Sequence, residues 1–287
     1  MQNTDFPGLY QSADTLSANA QKYFLGALFS NLLLLVLAAL VSVINYPHWV
    51  AALIQFMFLL LALASSVFLA WKRPEKSWYS GRAVAESIKT MTWRYVSRAE
   101  PFDKSDEESR SLLISRLRDV VQQNPGVSNQ LISHASAPQV TDTMTQMRAQ
   151  AFPQRRDTYI EHRINDQLEW YKRKAKFNST AAKCFFTGLI VANLIALACA
   201  ASKIANPAFQ YFPTDVFITV AAGILTWMQA KRFTELSTSY ALTANEIALI
   251  REDAYGLAED VELSKFVGDA ENAFSREHTQ WEARKDS

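Results

Sequence analysis

Two apolar stretches near the N-terminus decide the fold: residues 23–44, YFLGALFSNLLLLVLAALVSVI, and residues 49–71, WVAALIQFMFLLLALASSVFLAW. No Asp, Glu, Lys or Arg lies between Lys22 and Lys72. A bilayer core about 30 Å thick needs roughly 20 apolar residues in a helix, because lipid offers no partner to an unpaired backbone group. Both stretches have that length, and the segment Asn45-Tyr46-Pro47-His48 between them is short enough only for a turn. The sequence therefore predicts a transmembrane helical hairpin.

A second hairpin is predicted further along the chain. Residues 184–202, CFFTGLIVANLIALACAAS, and about 212–230, FPTDVFITVAAGILTWMQA, flank a loop that contains Asn206-Pro207. The predicted fold class is an all-α membrane protein with four spans and long cytoplasmic helices. The alternative is two apolar hairpins buried in a large soluble core. A cleaved signal peptide fits less well, because the first stretch exceeds the ~7–15-residue apolar region of a signal.

The positions of Lys and Arg predict the orientation of the spans. Basic residues follow the second span, precede the third and follow the fourth, whereas the loops 45–48 and 203–213 contain only Lys203. Both termini and the region 72–183 are therefore expected in the cytoplasm.

Three regions are predicted along the chain. Residues 1–100 form the first hairpin with a following cytoplasmic helix, residues 101–154 form a cytoplasmic helical insert, and residues 155–287 form the second hairpin with flanking helices. Within the insert, Ser105-x-x-Glu108 is a capping box that opens a helix running to about Gln123. A short helix is expected at about 139–151, and a long helix from about Gln154 into the third span.

Two further helices show periodic faces. The helix after the first hairpin repeats at steps of three and four at Trp78, Gly81, Ala85, Ile88, Thr92 and Tyr95. The helix after the second hairpin has a heptad-like seam at Leu236, Tyr240, Thr243, Ile247, Ile250, Ala254, Leu257 and Val261. Such a seam packs against another helix, either in the same chain or in another subunit.

Charge is balanced in total but unevenly distributed. The net charge of +1 excludes a uniformly basic nucleic-acid binder. Basic residues are in excess over 155–183, and acidic residues over 233–287. These stretches are either solvated faces that attract each other, or an acidic vestibule for cations beside a basic zone for an anionic ligand.

The sequence predicts neither an enzyme nor a cofactor. The eight glycines form no phosphate-binding motif. The four histidines, His48, His134, His162 and His278, are scattered and have no metal-site spacing. Cys184 and Cys199 share one predicted helix and lie too far apart to form a disulfide.

Neutral polar residues supply the candidates for a pore. The predicted spans have no ionisable residue at mid-depth, but they carry small and polar residues at helical spacing. These residues either pack helices together or line a narrow water-filled path. The pore-lining candidates are Asn31, Asn193, Thr219, Thr226 and Gln229.

Two aromatic and basic motifs resemble a known family. The first is Trp78-Tyr79-x-Gly81-Arg82-Ala83-x-Ala85-Glu86-Ser87-x-Lys89-x-x-x-Trp93-Arg94-Tyr95, and the second is Arg163-x-x-x-Gln167-x-x-Trp170-Tyr171-x-x-Lys174-Ala175-x-x-Asn178. Each is similar to a motif of the SLATT family, the two-transmembrane effectors of bacterial conflict systems that make or sense nucleotides. The chain thus resembles two such domains in tandem.

The resemblance implies a homo-oligomeric, pore-forming effector of the bacterial inner membrane, with a tetramer as the working expectation. Its partners would be the lipid bilayer and a nucleotide or oligonucleotide from a neighbouring nucleotidyltransferase, and its effect would be depolarisation and growth arrest or cell death. The ligand-binding candidates are Trp78, Tyr79, Arg82, Arg94, Arg163, Trp170, Tyr171, Arg173 and Lys174. The aromatic side chains would stack on bases and the cations would contact phosphates, although aromatic residues near a membrane also serve as interface anchors. The alternative function is a membrane-anchored scaffold without conductance.

Overall fold

The structure is a computed structural model that describes residues 1–44, 49–206 and 211–283, with side chains described up to residue 275. In these ranges the regular elements are all helices, which confirms the predicted all-α class. The predicted outer turn at 45–48, Pro207 of the second loop and the side chain of His278 lie outside the described residues.

Three helical stretches among the described residues are long and apolar enough to cross a membrane. Helix α1 spans Gly8–Ile44, α2 spans Trp49–Lys72, and the third stretch, Phe152–Ala205, ends in α8, Asp166–Ala205. The predicted fourth span forms α9, Thr214–Lys231. Its 18 residues correspond to about 27 Å at 1.5 Å per residue, and its crossing of a membrane stays a prediction.

The remaining helices are more polar. They are α3 (Pro74–Val96), α4 (Asp106–Gln123), α5 (Pro125–Ser128), α6 (Asp142–Ala149), α7 (Phe152–Tyr159), α10 (Phe233–Asp253) and α11 (Asp260–Ala283). Helix α4 begins where the capping box predicts. The Ser105 hydroxyl accepts a hydrogen bond from the Glu108 N–H at 3.4 Å and donates one to the Glu108 carboxylate at 3.0 Å.

The predicted long helix from Gln154 is not uniform. Between α7 and α8 the backbone forms a π-helical segment, Ile160–Asn165, which places one extra residue in the turn. The apolar periodicity of the sequence does not show this insertion.

The chain divides into two compact units. The polar unit comprises Met1–Gln21, Pro74–Lys172 and the chain from Ala241 onward, and the membrane unit comprises Lys22–Arg73 and Arg173–Tyr240. Helices α1, α8 and α10 each contribute residues to both units. The units group residues differently from the three predicted regions, because each unit takes segments from both halves of the chain.

Helix α3 lies at the centre of the polar unit. All residues of the predicted face of α3 except Trp78 are buried. The helix packs mainly against α11. Gly81 brings α3 close to α1, since a Cβ there would lie 3.1 Å from the backbone nitrogen of Ser17.

The predicted seam of α10 is shorter than the sequence indicates. Thr243, Ile247 and Ala254 are buried, but α10 ends at Asp253 and Val261 is exposed. The buried part of the seam therefore packs within the chain.

The N-terminal turns of α1 are held by the segment that precedes α6. The Gly8 N–H donates to the Pro138 carbonyl at 3.0 Å, and the His134 N–H donates to the Ser12 hydroxyl at 2.9 Å. A Cβ at Gly8 would lie 2.7 Å from the His134 carbonyl oxygen. The close approach of two backbones therefore requires glycine at this position.

In the membrane unit the first hairpin is joined by side-chain hydrogen bonds. Asn31 Nδ2 donates to the Ala62 carbonyl and to the Ser66 hydroxyl, both at 2.7 Å, and the Ser65 hydroxyl donates to the Ala27 carbonyl at 2.8 Å. These bonds confirm that α1 and α2 are antiparallel neighbours.

A ring contact places the second hairpin beside the first within this unit. The rings of Phe29 and Trp227 lie 6.1 Å apart, which sets α9 against α1. The rings of Phe185 and Phe233 stack at 5.3 Å, where α8 passes the start of α10.

Candidate functional site

A buried ion pair joins the π-helical segment to α11. Arg163 Nε and Nη2 donate to the two carboxylate oxygens of Glu271 at 2.8 and 2.7 Å, and both residues are at most 1% exposed. The Tyr159 hydroxyl donates to the same carboxylate at 3.0 Å. Removing either charge would leave the other buried without a counter-charge, so the pair fixes the register of this segment against α11.

The surroundings of the pair keep Arg163 charged and Tyr159 neutral. Burial is the largest single influence on Arg163 and opposes its charge, but the charge and hydrogen bonds of Glu271, with smaller contributions from Tyr159 and Glu86, raise the pKa of Arg163 overall. Burial and the same carboxylate raise the pKa of Tyr159 well above 10. Arg163 Nη1 has no hydrogen-bond partner in the described part of the chain, and the guanidinium lies 4.8 Å from the Phe274 ring centroid.

A second charged group on α3 adjoins this pair. Arg82 forms an ion pair of 2.7 Å with Glu86, whose side chain is only 7% exposed. Burial is the largest single influence on Arg82 and opposes its charge, but Glu86, Tyr10 and Asp14 together outweigh burial, so that the pKa of Arg82 is raised. For Lys89 burial dominates: the pKa is lowered, Arg163 adds to the effect, and Glu86 opposes it.

Together these residues form an ionic network, defined as Arg82, Glu86, Lys89, Tyr159, Arg163 and Glu271. It links α3, the π-helical segment and α11. Its positive and negative charges are close to balance, which is the arrangement that buried charges require.

The structure places the predicted ligand-binding residues in two groups. Trp78, Tyr79, Arg82, Arg94, Arg163, Trp170 and Tyr171 belong to the polar unit, whereas Arg173 and Lys174 are exposed in the membrane unit. Trp78 and Tyr79 stack on each other, with ring centroids 4.7 Å apart, and Trp170 meets Tyr171 edge to face at 4.9 Å.

Three of these residues are enclosed by, or bonded within, the polar unit. Arg163 and Tyr171 are buried. Arg94 Nη2 donates to the Gly268 carbonyl at 3.0 Å and to Asn272 Oδ1 at 2.7 Å, so this guanidinium ties α3 to α11. Contact of these three residues with a ligand stays a prediction.

The pore-lining candidates also differ in their surroundings. Asn31 bonds across the first hairpin and is therefore a packing residue. Three other candidates form hydrogen bonds within their own helix: Asn193 donates to the Leu189 carbonyl, Thr219 to that of Asp215 and Thr226 to that of Ala222. Asn193 and Gln229 are exposed on the membrane unit.

Sequence reasoning missed several residues of the network. Glu271 is one of many acidic residues after position 233, and nothing near it in the sequence marks it as buried. Glu86 carried a weak signal, since it lies four residues after Arg82 on a helix, the spacing of an ion pair. Arg148 was also missed. It is 2% exposed and donates from Nη1 to the carbonyls of Tyr95 and Phe102, at 2.6 and 2.9 Å.

In the described ranges no group of three or more His, Cys, Asp or Glu residues is arranged to hold a metal ion. The helices and the two units thus define an all-helical membrane protein whose polar unit is joined by buried ion pairs.

Sequence models of two domain types match the chain. Residues 7–156 match SMODS and SLOG-associating 2TM effector domain 3, and residues 159–281 match SMODS and SLOG-associating 2TM effector domain 1. The protein belongs to the SLATT family and contains two of its domains in tandem, which confirms the resemblance of both motifs. The matches meet just before the π-helical segment. No curated protein and no solved structure matches the chain.

Proposed function

We propose that the protein is a homo-oligomeric ion channel, a pore-forming effector of bacterial anti-phage defence that a nucleotide or oligonucleotide gates from the cytoplasm. It would lie in the inner membrane with four spans and both termini in the cytoplasm. Two tandem domains of a two-transmembrane type support four spans. Opening would depolarise the membrane and arrest growth or kill the cell.

The position of Asn193 carries the proposal. Asn193 lies at the centre of the predicted third span, and its side chain is exposed on the membrane unit. Among the described residues, its amide donates only to the Leu189 carbonyl of its own helix, at 2.8 Å. A carboxamide facing hydrocarbon at mid-depth costs roughly 2 kcal/mol or more, so Asn193 favours a position facing water or another subunit.

Continuous helices supply a route for gating. Helix α1 runs from Gly8 in the polar unit to Ile44 in the membrane unit, and α8 leaves the ionic network for the predicted third span. A change in the polar unit would therefore act on the pore helices through the backbone. Trp78, Tyr79, Trp170 and Arg82 are among the ligand-contacting candidates of this unit.

Planar-bilayer recordings of the purified protein test the proposal. We expect current when the cognate nucleotide signal is present, and at least a tenfold smaller current for Asn193→Leu. Ser202→Ala is the matched control, since Ser202 is also exposed on α8 and donates to the carbonyl four residues earlier. If the wild-type protein passes no current with its trigger, the channel proposal fails. If Asn193→Leu conducts normally, Asn193 does not line the pore.

The scaffold alternative makes the opposite prediction. If the spans only anchor the polar unit, then replacing both hairpins with unrelated transmembrane hairpins preserves toxicity in cells. If the spans form a channel, the same replacement abolishes toxicity.

A further inference from the structure

The membrane unit has a strong excess of positive charge. It contains ten Lys and Arg residues against Asp215 and Glu235, a formal charge of +8, whereas the polar unit carries 19 basic and 26 acidic residues, a formal charge of −7. The total of +1 hides this separation. A charge of +8 on a unit of this size needs negative partners.

Nine of the ten cations lie at one end of the unit. They stand at the helix positions where the apolar stretches begin or end, and we call them the basic collar: Lys22, Lys72, Arg73, Arg173, Lys174, Lys176, Lys183, Lys231 and Arg232. Only Lys203 lies at the opposite end.

Contacts within the unit place these positions at one end of its helices, where the cations of α8 extend over about 15 Å from Arg173 to Lys183. The bond from Ser65 to Ala27 pairs the end of α2 with the start of the membrane part of α1. The Ser237 hydroxyl donates to the Ala175 carbonyl at 3.1 Å, which pairs the start of α10 with the collar part of α8. The contact between Phe29 and Trp227 aligns the end of α9 with α1. The collar cations are therefore distributed over the ends of four helices.

Exposed aromatic residues lie at the same end of the membrane unit as the basic collar. Tyr23 is 66%, Trp71 79% and Phe177 61% exposed, each next to or near a collar cation in the sequence. Lys72 Nζ lies 5.3 Å from the Trp71 ring centroid. Interleaved aromatic and basic side chains at the ends of apolar helices are typical of the boundary between hydrocarbon and lipid headgroups.

The membrane unit itself contains few acidic residues that could neutralise the collar. Glu235, which pairs with Arg232, is the only acidic residue of the unit near the collar. Arg173, Lys176 and Lys183 are exposed on α8. The counter-charges of the collar must therefore come largely from outside the membrane unit.

We propose that the basic collar binds the headgroups of anionic phospholipids, and that Arg173 and Lys174 contact lipid instead of a signalling nucleotide. The cations lie at the ends of four helices, together with exposed aromatic side chains, and this distribution matches a layer of lipid headgroups. A single nucleotide would need donors that converge on one phosphate group. Each basic residue near an anionic membrane surface contributes about 1 kcal/mol, roughly fivefold in affinity.

Lipid titration of the full-length protein in a neutral detergent tests this inference. Native mass spectrometry counts the bound molecules of phosphatidylglycerol or phosphatidylcholine, and thermal unfolding reports the shift that each lipid causes. We expect the wild-type protein to retain phosphatidylglycerol in preference to phosphatidylcholine. The variant Arg173→Gln/Lys176→Gln/Lys183→Gln should bind phosphatidylglycerol at least tenfold more weakly.

The matched control removes the same charge elsewhere. Arg110→Gln/Arg116→Gln/Arg118→Gln changes three exposed arginines of α4, in the polar unit, and should leave lipid retention unchanged. Equal retention of both lipids, or equal losses in the two triple variants, would overturn the inference. So would displacement of phosphatidylglycerol by millimolar inorganic phosphate or by an oligonucleotide, since the site would then recognise free phosphate. The readout requires no conductance and no nucleotide, so its outcome is independent of the channel proposal.

Discussion

In the polar unit, Arg163 and Glu271 bury opposite charges in a bidentate contact, whereas in the membrane unit the bonds between helices come from half-buried neutral side chains such as Asn31 and Ser65. Charges of the membrane unit are instead gathered at one end. Breaking a buried charge pair costs far more than losing a neutral bond. We therefore expect substitutions of single polar residues to cost more stability in the polar unit than in the membrane unit.

The largest effect is expected at the buried pair. Glu271→Gln leaves Arg163 buried without a counter-charge and should lower the free energy of unfolding by about 3–5 kcal/mol. Denaturant unfolding in detergent measures this loss. Asp269→Asn, an exposed position on the same helix, is the control and should change stability by less than about 0.5 kcal/mol.

The apolar double variant Arg163→Met/Glu271→Leu sharpens this result. Because it removes both charges and their desolvation cost, it should recover most of the stability. A loss below about 1 kcal/mol for Glu271→Gln alone would show that the pair does not hold the unit.

The next effect concerns close packing in the two units. Gly8→Ala in the polar unit would push a methyl group against backbone oxygen at 2.7 Å and should cost about 1–3 kcal/mol. Gly188→Ala in the membrane unit meets only Ile224 Cδ1 at 3.7 Å, an ordinary contact, and should be tolerated. Thermal unfolding of both variants measures the difference. Equal losses would remove this contrast between the units.

A smaller effect separates the two hairpins. Asn31→Leu removes two bonds between α1 and α2 and should destabilise the first hairpin by about 1–2 kcal/mol. Asn193→Leu removes a bond within one helix and should leave stability unchanged while it reduces current. Reversible unfolding in mixed micelles measures the two variants side by side. If Asn193→Leu proves the more destabilising, then the second hairpin, not the first, depends on polar packing.

The smallest effect is a pH dependence from Lys89. Burial lowers the pKa of Lys89 in the folded protein below the usual 10.5. At any pH between this lowered pKa and the pKa of Lys89 in the unfolded chain, the unfolded chain therefore binds more protons than the folded protein. Stability due to this group therefore rises with pH across that interval and is lowest where Lys89 is charged. Lys89→Met should stabilise the protein at neutral pH and remove this rise. Unfolding curves from neutral pH to beyond the usual lysine pKa of 10.5 check both effects, and a rise that persists in the variant would assign it to another group.

Local patterns predicted the helices well. The three- and four-residue steps of α3 match its buried face, and the Ser105 cap marks the start of α4. Both signals involve residues within a few positions of each other, which short-range geometry determines. The extra residue of the π-helical segment escaped prediction, because it depends on α11 packing against it.

The candidate site was predicted less well. Arg163 and Glu271 are separated by 108 residues, and neither differs in its local sequence from exposed neighbours. Whether Asn31 or Asn193 faces another helix depends on the rotation of each span. Spans that are apolar on all sides carry little signal for that rotation. Fold class and family therefore came from the sequence, and the roles of single polar residues came from the structure.

The hydrogen bonds between residues 134–143 and the N-terminal residues of the chain have a consequence for biogenesis. Ser12 bonds to His134, and Asp5 to Thr143, across 122 and 138 residues of chain. At about 5–20 residues per second, the ribosome needs roughly 6–28 s to make the second partner after the first. By then the whole first hairpin, which ends at Lys72, has been synthesised. A hairpin that inserts during synthesis would therefore enter the bilayer before the N-terminal turns of α1 meet their partners, and membrane insertion would precede assembly of the polar unit.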